Sequence, residues 1–181
     1  MGYQLIDTLA HDYHIKLNKE ASLVQWGEGE VLEERLILAK PMTFMNLSGE
    51  AASYLIEKFN LFPEEILVVH DDMDLPWSRL KLVAKSGPGG HKGVASVIEK
   101  LDTEQIPRLK IGIGRPTDKD KVSYVLSEFS EEEIKALPEI IRQAKLTIES
   151  VLKEGLPKAM SIFNVRGKSP RAEALQASEK E

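Results

Sequence analysis

Ile66-Leu67-Val68-Val69 is an apolar run that breaks off into His70-Asp71-Asp72, with Asp74 close behind. No other stretch narrows the fold so far. Four branched aliphatics in a row predict a strand buried on both faces, which needs cover on both sides. Polar groups at the carboxyl end of such a strand line a crevice in α/β proteins. The next strand alternates through Leu80, Leu82 and Ala84 and runs into Gly87-Pro88-Gly89-Gly90-His91. Glycines there admit a tight turn or bring backbone amides close to a ligand. An acidic strand end and a histidine-bearing glycine loop, joined by one strand, read as two walls of one site.

The flanking segments fill in the alternation of strand and helix. Leu5, Leu9 and Tyr13 recur every four residues, with Ile6 beside them, and predict a helix from Gly2 to Tyr13. No strand precedes it, so the sheet is expected to carry a gap or an open edge there. Leu23 to Trp26 and Arg35 to Ala39 read as strands, with Gly27, Gly29 and Glu33-Glu34 supplying the turn and Pro41 ending the second. A helix follows from Gly49 to Phe59. Asn46 or Ser48 reads as its cap; alternatively Asn46 aims an amide into the crevice. Pro63-Glu64-Glu65 forms a single turn.

After the glycine loop, Lys92 to Leu101 reads as a helix whose free amino-terminal amides suit an anion. Leu109, Ile111 and Ile113 alternate as a strand, and Val122 to Phe129 forms a short link. Ser130-Glu131-Glu132-Glu133 is a capped, acid-rich helix start. That helix ends at Gly155, and Pro138 inside it predicts a kink or two abutting helices. A last short helix spans Pro157 to Phe163.

Composition excludes several classes. The 181 residues contain no cysteine, so neither a disulfide framework nor a thiolate zinc site is available. No apolar run approaches the roughly 20 residues of a membrane span, and no signal peptide is visible, which points to a cytoplasmic setting. The net charge of −5 conceals an asymmetry. Trp77 to Lys121 holds ten Lys/Arg against five Asp/Glu, a net of +5, while the remainder carries −10. A basic segment around the glycine loop fits an anionic partner such as a phosphate backbone, or equally a solvated face.

The residues alone leave the chemistry open. Asp71, Asp72 and Asp74 with His70 and His91 offer oxygen-rich ligation for magnesium or manganese, though at no recognised metal spacing. An aspartate orienting a histidine base is the other arrangement, with His91 the candidate base. No nucleophile elbow, P-loop or dinucleotide fingerprint occurs.

Four runs carry a resemblance: Pro41-Met42-Thr43-Phe44-Met45-Asn46-Leu47-Ser48-Gly49, His70-Asp71-Asp72-Met73-Asp74-Leu75-Pro76, Gly89-Gly90-His91-Lys92-Gly93 and Gly112-Ile113-Gly114-Arg115-Pro116. In this order they resemble the bacterial peptidyl-tRNA hydrolase family, over the chain up to about Arg166. The resemblance implies a single α/β domain over 1–166, with a mixed, mostly parallel sheet surrounded by helices, and a polar tail over 167–181. It implies a monomer that hydrolyses the ester between a peptide and the 3′ ribose of tRNA, with no metal and no cofactor.

Two departures accompany it. The family opens with a strand, a glycine loop and a T-R-H-N-like motif ahead of the first helix, whereas here Met1-Gly2-Tyr3 stands directly after where that histidine would be. Lys92 occupies a position that is asparagine in the family, and a lysine cannot both donate and accept as an amide does. The resemblance gives Asp71 the role of orienting the catalytic imidazole. Asn46 would bind the peptide backbone and help place water, and His91 would stand on the substrate side of the loop. Phe44, Asn46 and Lys92 are assigned to substrate, and Lys81, Lys85, Lys110 and Arg115 to tRNA phosphates. Two other readings remain: a non-catalytic RNA-binding relative lacking the base, and a metal-dependent phosphoesterase built on the three aspartates.

Overall fold

The computed structural model describes residues 1–21, 23–115 and 129–165. The order is α1 (Gly2–Asp12), β1 (Lys19–Ala21), β2 (Val24–Val31), β3 (Glu34–Pro41), α2 (Ser48–Phe59), β4 (Val68–Asp72) and β5 (Leu80–Val83). Then come α3 (Lys92–Leu101), β6 (Arg108–Gly112), α4 (Glu131–Glu154) and α5 (Leu156–Phe163), with 3-10 turns at Met45–Leu47 and Pro63–Glu65. Pro116, Lys119, Lys121, most of the expected 122–129 link, Arg166 and the expected 167–181 tail lie outside the described residues. Among the described residues no helix is long and apolar enough to cross a membrane.

Among the described residues the strands form two three-stranded sheets, ordered β1-β2-β3 and β4-β6-β5. β1/β2, β2/β3 and β5/β6 are antiparallel, and β4/β6 is parallel. The expectation of a mostly parallel sheet is therefore corrected: the pairing is mostly antiparallel. Alternating strands and helices suggested crossovers, but two local facts override them. β2 and β3 are joined by the two-residue turn Leu32-Glu33, with φ of 53° and 66°, a hairpin geometry that reverses the chain. β6 enters between β4 and β5 and runs against the latter.

Gly27 and Gly29 do not supply that turn. They lie inside β2, where a Cβ on Gly27 would sit 2.2 Å from the Lys16 carbonyl oxygen and one on Gly29 2.7 Å from the Ile15 side chain. Their function is close approach of the segment after α1. β4 also begins later than the apolar run suggested, so that His70, Asp71 and Asp72 belong to the strand itself, and His70 is its one buried residue.

The largest core cluster packs Leu5 and Leu9 of α1 and Ile140, Ala144 and Ile148 of α4 against Leu38, Leu82, Leu109 and Ile111. Each fully buried leucine contributes about 2–3 kcal/mol. α2 faces two ways: Ala51 joins Val24 and Trp26, while Ala52 joins Val97 and Ile106. α4 starts as its sequence predicts, with the Ser130 N–H donating to Glu133 Oε2 at 2.7 Å and Ser130 Oγ accepting the Glu133 N–H at 3.3 Å. It runs unbroken through Pro138 rather than as two helices. Asn164, just past α5, satisfies the edge of β5. Its Oδ1 accepts the Leu82 N–H at 2.9 Å and its Nδ2 donates to the Leu82 carbonyl at 2.8 Å.

Candidate active site

Asp71 sits on β4 opposite Ile111 of β6, one residue before the strand ends. Its carboxylate lies 3.7 Å from Nε2 of His91, with the two side chains 26% and 18% exposed. That is an ion-pair distance, too long for a direct hydrogen bond. Burial pushes the Asp71 carboxyl up, and the His91 imidazole more than reverses the effect, leaving it below the usual carboxylate range. Asp71 is thus a charged acceptor in a half-buried setting, suited to orienting an imidazole.

His91 caps α3: its Nδ1 accepts the Val94 N–H at 3.2 Å. An Nδ1 that accepts leaves the proton of the neutral ring on Nε2, and that nitrogen is the one facing Asp71. Both nitrogens are therefore committed, and in this arrangement His91 has no lone pair with which to take a proton from water. The structure brings His91 to Asp71 as expected, but as a helix cap whose Nε2 faces the carboxylate.

His70 stands behind this pair. It is 7% exposed, its Nδ1 lies 2.6 Å from the Asp71 carbonyl oxygen, and its ring centroid is 4.8 Å from that of His91. Nδ1 must donate to that carbonyl, so the bare lone pair is on Nε2, which has no partner among the described residues. Burial is the main cause pulling its pKa down, to about 4, so the ring is neutral.

The other wall is the turn Met45–Leu47. Neither Asn46 nor Ser48 caps α2: the capping position is Leu47, and the Ser48 hydroxyl donates to the Met45 carbonyl at 2.8 Å. Asn46 is exposed, and its amide has no hydrogen-bond partner among the described residues. The reading of Asn46 as a free amide is thus the one the geometry allows. Phe44 beside it is 80% exposed and Met42 60%. Two glycines hold this wall to the histidine wall. A Cβ on Gly93 would lie 2.5 Å from Met45 Sδ, and one on Gly49 would lie 2.2 Å from the Ser96 carbonyl oxygen. The Gly49 N–H also donates to Ser96 Oγ at 3.0 Å. Ser96 carried no sequence signal, because a serine on the polar side of a helix is unremarkable.

The aspartates do not converge. The half-buried Asp72 holds Lys110 at 2.9 Å and accepts the Asp74 N–H at 2.8 Å. Burial raises its pKa and Lys110 lowers it, with the lowering dominant. Asp74 holds Arg115 at 2.7 Å on the surface. Asp72 and Asp74 each face their own cation and Asp71 faces His91, and among the described residues no group of three acids or histidines is placed to hold a metal ion.

Ion pairing also reduces the basic segment. Lys100 pairs with Glu50, Arg79 donates to the Asn164 and Val165 carbonyls, and Arg108 is buried. Lys81, Lys85 and Lys92 are exposed, and no carboxylate pairs with them among the described residues. Lys81 stands opposite Lys110, which stands opposite His70, so one row crosses β5, β6 and β4.

The chain is similar to known proteins over most of its length. A family model described as peptidyl-tRNA hydrolase matches residues 1–172. The peptidyl-tRNA hydrolase of Geotalea daltonii is 42% identical over 163 residues, covering 90% of this chain and 85% of that protein. The peptidyl-tRNA hydrolase of Alkaliphilus metalliredigens is 39% identical over 164 residues, covering 91% of this chain and 89% of that protein. The crystal structure of peptidyl-tRNA hydrolase from Acinetobacter baumannii superposes with a TM-score of 0.83 at 27% identity, covering 90% of this chain and 84% of the other.

Proposed function

Since the chain belongs to the peptidyl-tRNA hydrolase family, we propose that the cleft between Asp71, His91 and Asn46 is where it performs that family's reaction. The activity is hydrolysis of the ester joining a peptide to tRNA, which returns the tRNA to translation. The observation that carries the assignment of this cleft is the ionised Asp71 facing an imidazole across from an unpartnered amide. Water attacks the ester carbonyl and a base takes its proton; the tetrahedral adduct then collapses, the bond to the ribose 3′ oxygen breaks, and that oxygen takes the proton back from the base. The oxyanion is met by fixed donors, a role we assign to Asn46 and amides of the glycine loop. Lys81, Lys85, Lys92 and Arg115 take tRNA phosphates, with Lys110 behind them on Asp72. Phosphate contacts give affinity and position. The chain acts as a monomer in the cytoplasm.

The base needs an imidazole with a free lone pair, and His91 has none while it caps α3. The family pattern has a histidine-bearing turn directly ahead of the first helix, and that imidazole is the one we assign to Asp71. α1 begins beside β4, where a Cβ on Gly2 would lie 3.2 Å from the Val69 carbonyl oxygen. The experiment compares kcat/KM on peptidyl-tRNA for residues 1–181 and for the same chain extended upstream through a T-R-H-N-like motif. The extended chain is expected to be faster by about 10²- to 10⁴-fold, the usual worth of a general base. Equal rates would move the base to His91, and His91→Ala would then abolish activity. Binding of tRNA without turnover by both chains would favour the non-catalytic reading.

A further inference from the structure

Arg108 is 1% exposed, among the most buried side chains of the molecule. The alternation of β6 turns Leu109 and Ile111 into the main core and leaves Arg108 and Lys110 on the other face. A guanidinium withdrawn from water is strongly disfavoured unless its donors are used. No carboxylate forms an ion pair with Arg108 among the described residues. Its donors go instead to the entry of the glycine loop: Nη1 donates to the Gly87 carbonyl at 3.0 Å, and Nη2 to the Ser86 carbonyl. Nε is left without a partner.

The loop beyond has little else to hold it. Gly89 and Gly90 have φ of 59° and 79°, and the His91 N–H donates to the Pro88 carbonyl at 3.0 Å, closing a tight turn. A Cβ added at Gly89 or Gly90 would meet nothing within 4 Å, so the turn stands free of the body of the protein. At its far end the loop is fixed by the His91 cap on α3. At its near end it is fixed by the fork of Arg108.

We propose that Arg108 is a positioning residue for the tRNA-binding loop: by holding two successive carbonyls it sets where Lys85 and His91 stand. The proposal rests on the reading that Lys85 meets a tRNA phosphate. A planar fork spans two neighbouring oxygens, and a lysine ammonium in its place supplies charge without that geometry.

The test is a double-mutant cycle on tRNA binding with Arg108→Lys and Lys85→Ala, together with amide hydrogen exchange on the Arg108→Lys protein. Each single change is expected to weaken binding about three- to tenfold, because one phosphate is left without its cation. The double mutant is expected to be no weaker than either single, because Lys85 contributes only when the loop is held. Exchange of the His91 amide is expected to accelerate at least tenfold. The Val68 amide, bonded to the Pro107 carbonyl at 2.9 Å, should stay protected. Additive losses, or an unchanged His91 amide, would overturn the proposal. So would equal acceleration at Val68, which would make Arg108 a residue of the fold rather than of the loop. If Lys85→Ala alone leaves binding unchanged, the phosphate reading of Lys85 fails, and the exchange contrast between His91 and Val68 decides the role of Arg108 by itself.

Discussion

The carboxyl end of β4 and the loop after β5 meet where Asp71 faces His91, but they are built in opposite ways. At the strand end every acid is answered: Asp71 by His91, Asp72 by Lys110 and Asp74 by Arg115. On the other side Lys85 and Lys92, and Lys81 on the strand leading in, have no acid among the described residues. The contrast suits the two tasks we propose for these regions. Ester hydrolysis needs groups fixed before the reaction begins, because reorganising them during it raises the barrier. Holding a phosphate backbone needs charge and reach, and is tuned by salt.

Asp71→Asn breaks the fixed side most severely. It removes the charge that orients and stabilises an imidazolium while keeping shape. We expect kcat/KM on peptidyl-tRNA to fall about 10²- to 10⁴-fold in the active chain. The tRNA affinity should stay within about twofold. Comparable losses in both would merge the two regions into one.

Acid attacks the same side through His70. Its folded pKa of about 4 lies below the ordinary 6.5, chiefly because burial opposes the charged ring. The folded state therefore refuses a proton that the unfolded chain accepts. Stability is complete above pH 6.5 and is lost as pH falls toward 4, by roughly 3 kcal/mol over that window. The depressed carboxylates of Asp71 and Asp72 act in the lower window, below the usual carboxylate pKa. Denaturation monitored from pH 7 to 4 should show the loss, and His70→Gln should flatten it. A stability flat across that range in the unaltered protein would remove His70 from the account.

The unpaired lysines respond to salt. Alanine at Lys81, Lys85 and Lys92 together should cut the slope of log affinity against log salt by about 0.9 for each phosphate no longer neutralised. Isothermal titration at several salt concentrations measures it. An unchanged slope would show that these lysines are solvated surface.

How far the sequence reveals this depends on which force places each residue. Capping and periodicity are local, so Ser130, Gly155, Leu5 and Leu9 are legible. The glycine loop and the acidic strand end are legible as motifs, because glycine at positive φ and clustered charge have few other uses. Strand direction is not legible. It is decided by a hairpin whose turn residues are Leu32 and Glu33, neither of which favours positive φ, while the glycines that suggested a turn serve close packing against Lys16 and Ile15. Charge counting misled for a similar reason. It cannot separate Lys110, held by Asp72, from Lys85, held by no acid among the described residues, and it treats the buried Arg108 as surface charge.

The smallest effect tests the boundary between the two sides. Arg115 and Asp74 are 68% and 58% exposed, whereas Lys110 and Asp72 are each 14% exposed. An exposed pair is worth about 0.2–1 kcal/mol, so a phosphate can displace its carboxylate at little cost. Breaking the half-buried pair strands a charge out of water at a cost of about 3–5 kcal/mol. Arg115 is then the exchangeable cation and Lys110 a tether between β4 and β6. Asp74→Asn should raise tRNA affinity about two- to fivefold and steepen its salt dependence, by removing an internal competitor for Arg115. Asp72→Asn should lower the melting temperature without that gain. Weaker binding by Asp74→Asn would mean that Asp74 itself accepts from the RNA. A gain from Asp72→Asn equal to that from Asp74→Asn would put Lys110 among the exchangeable cations after all.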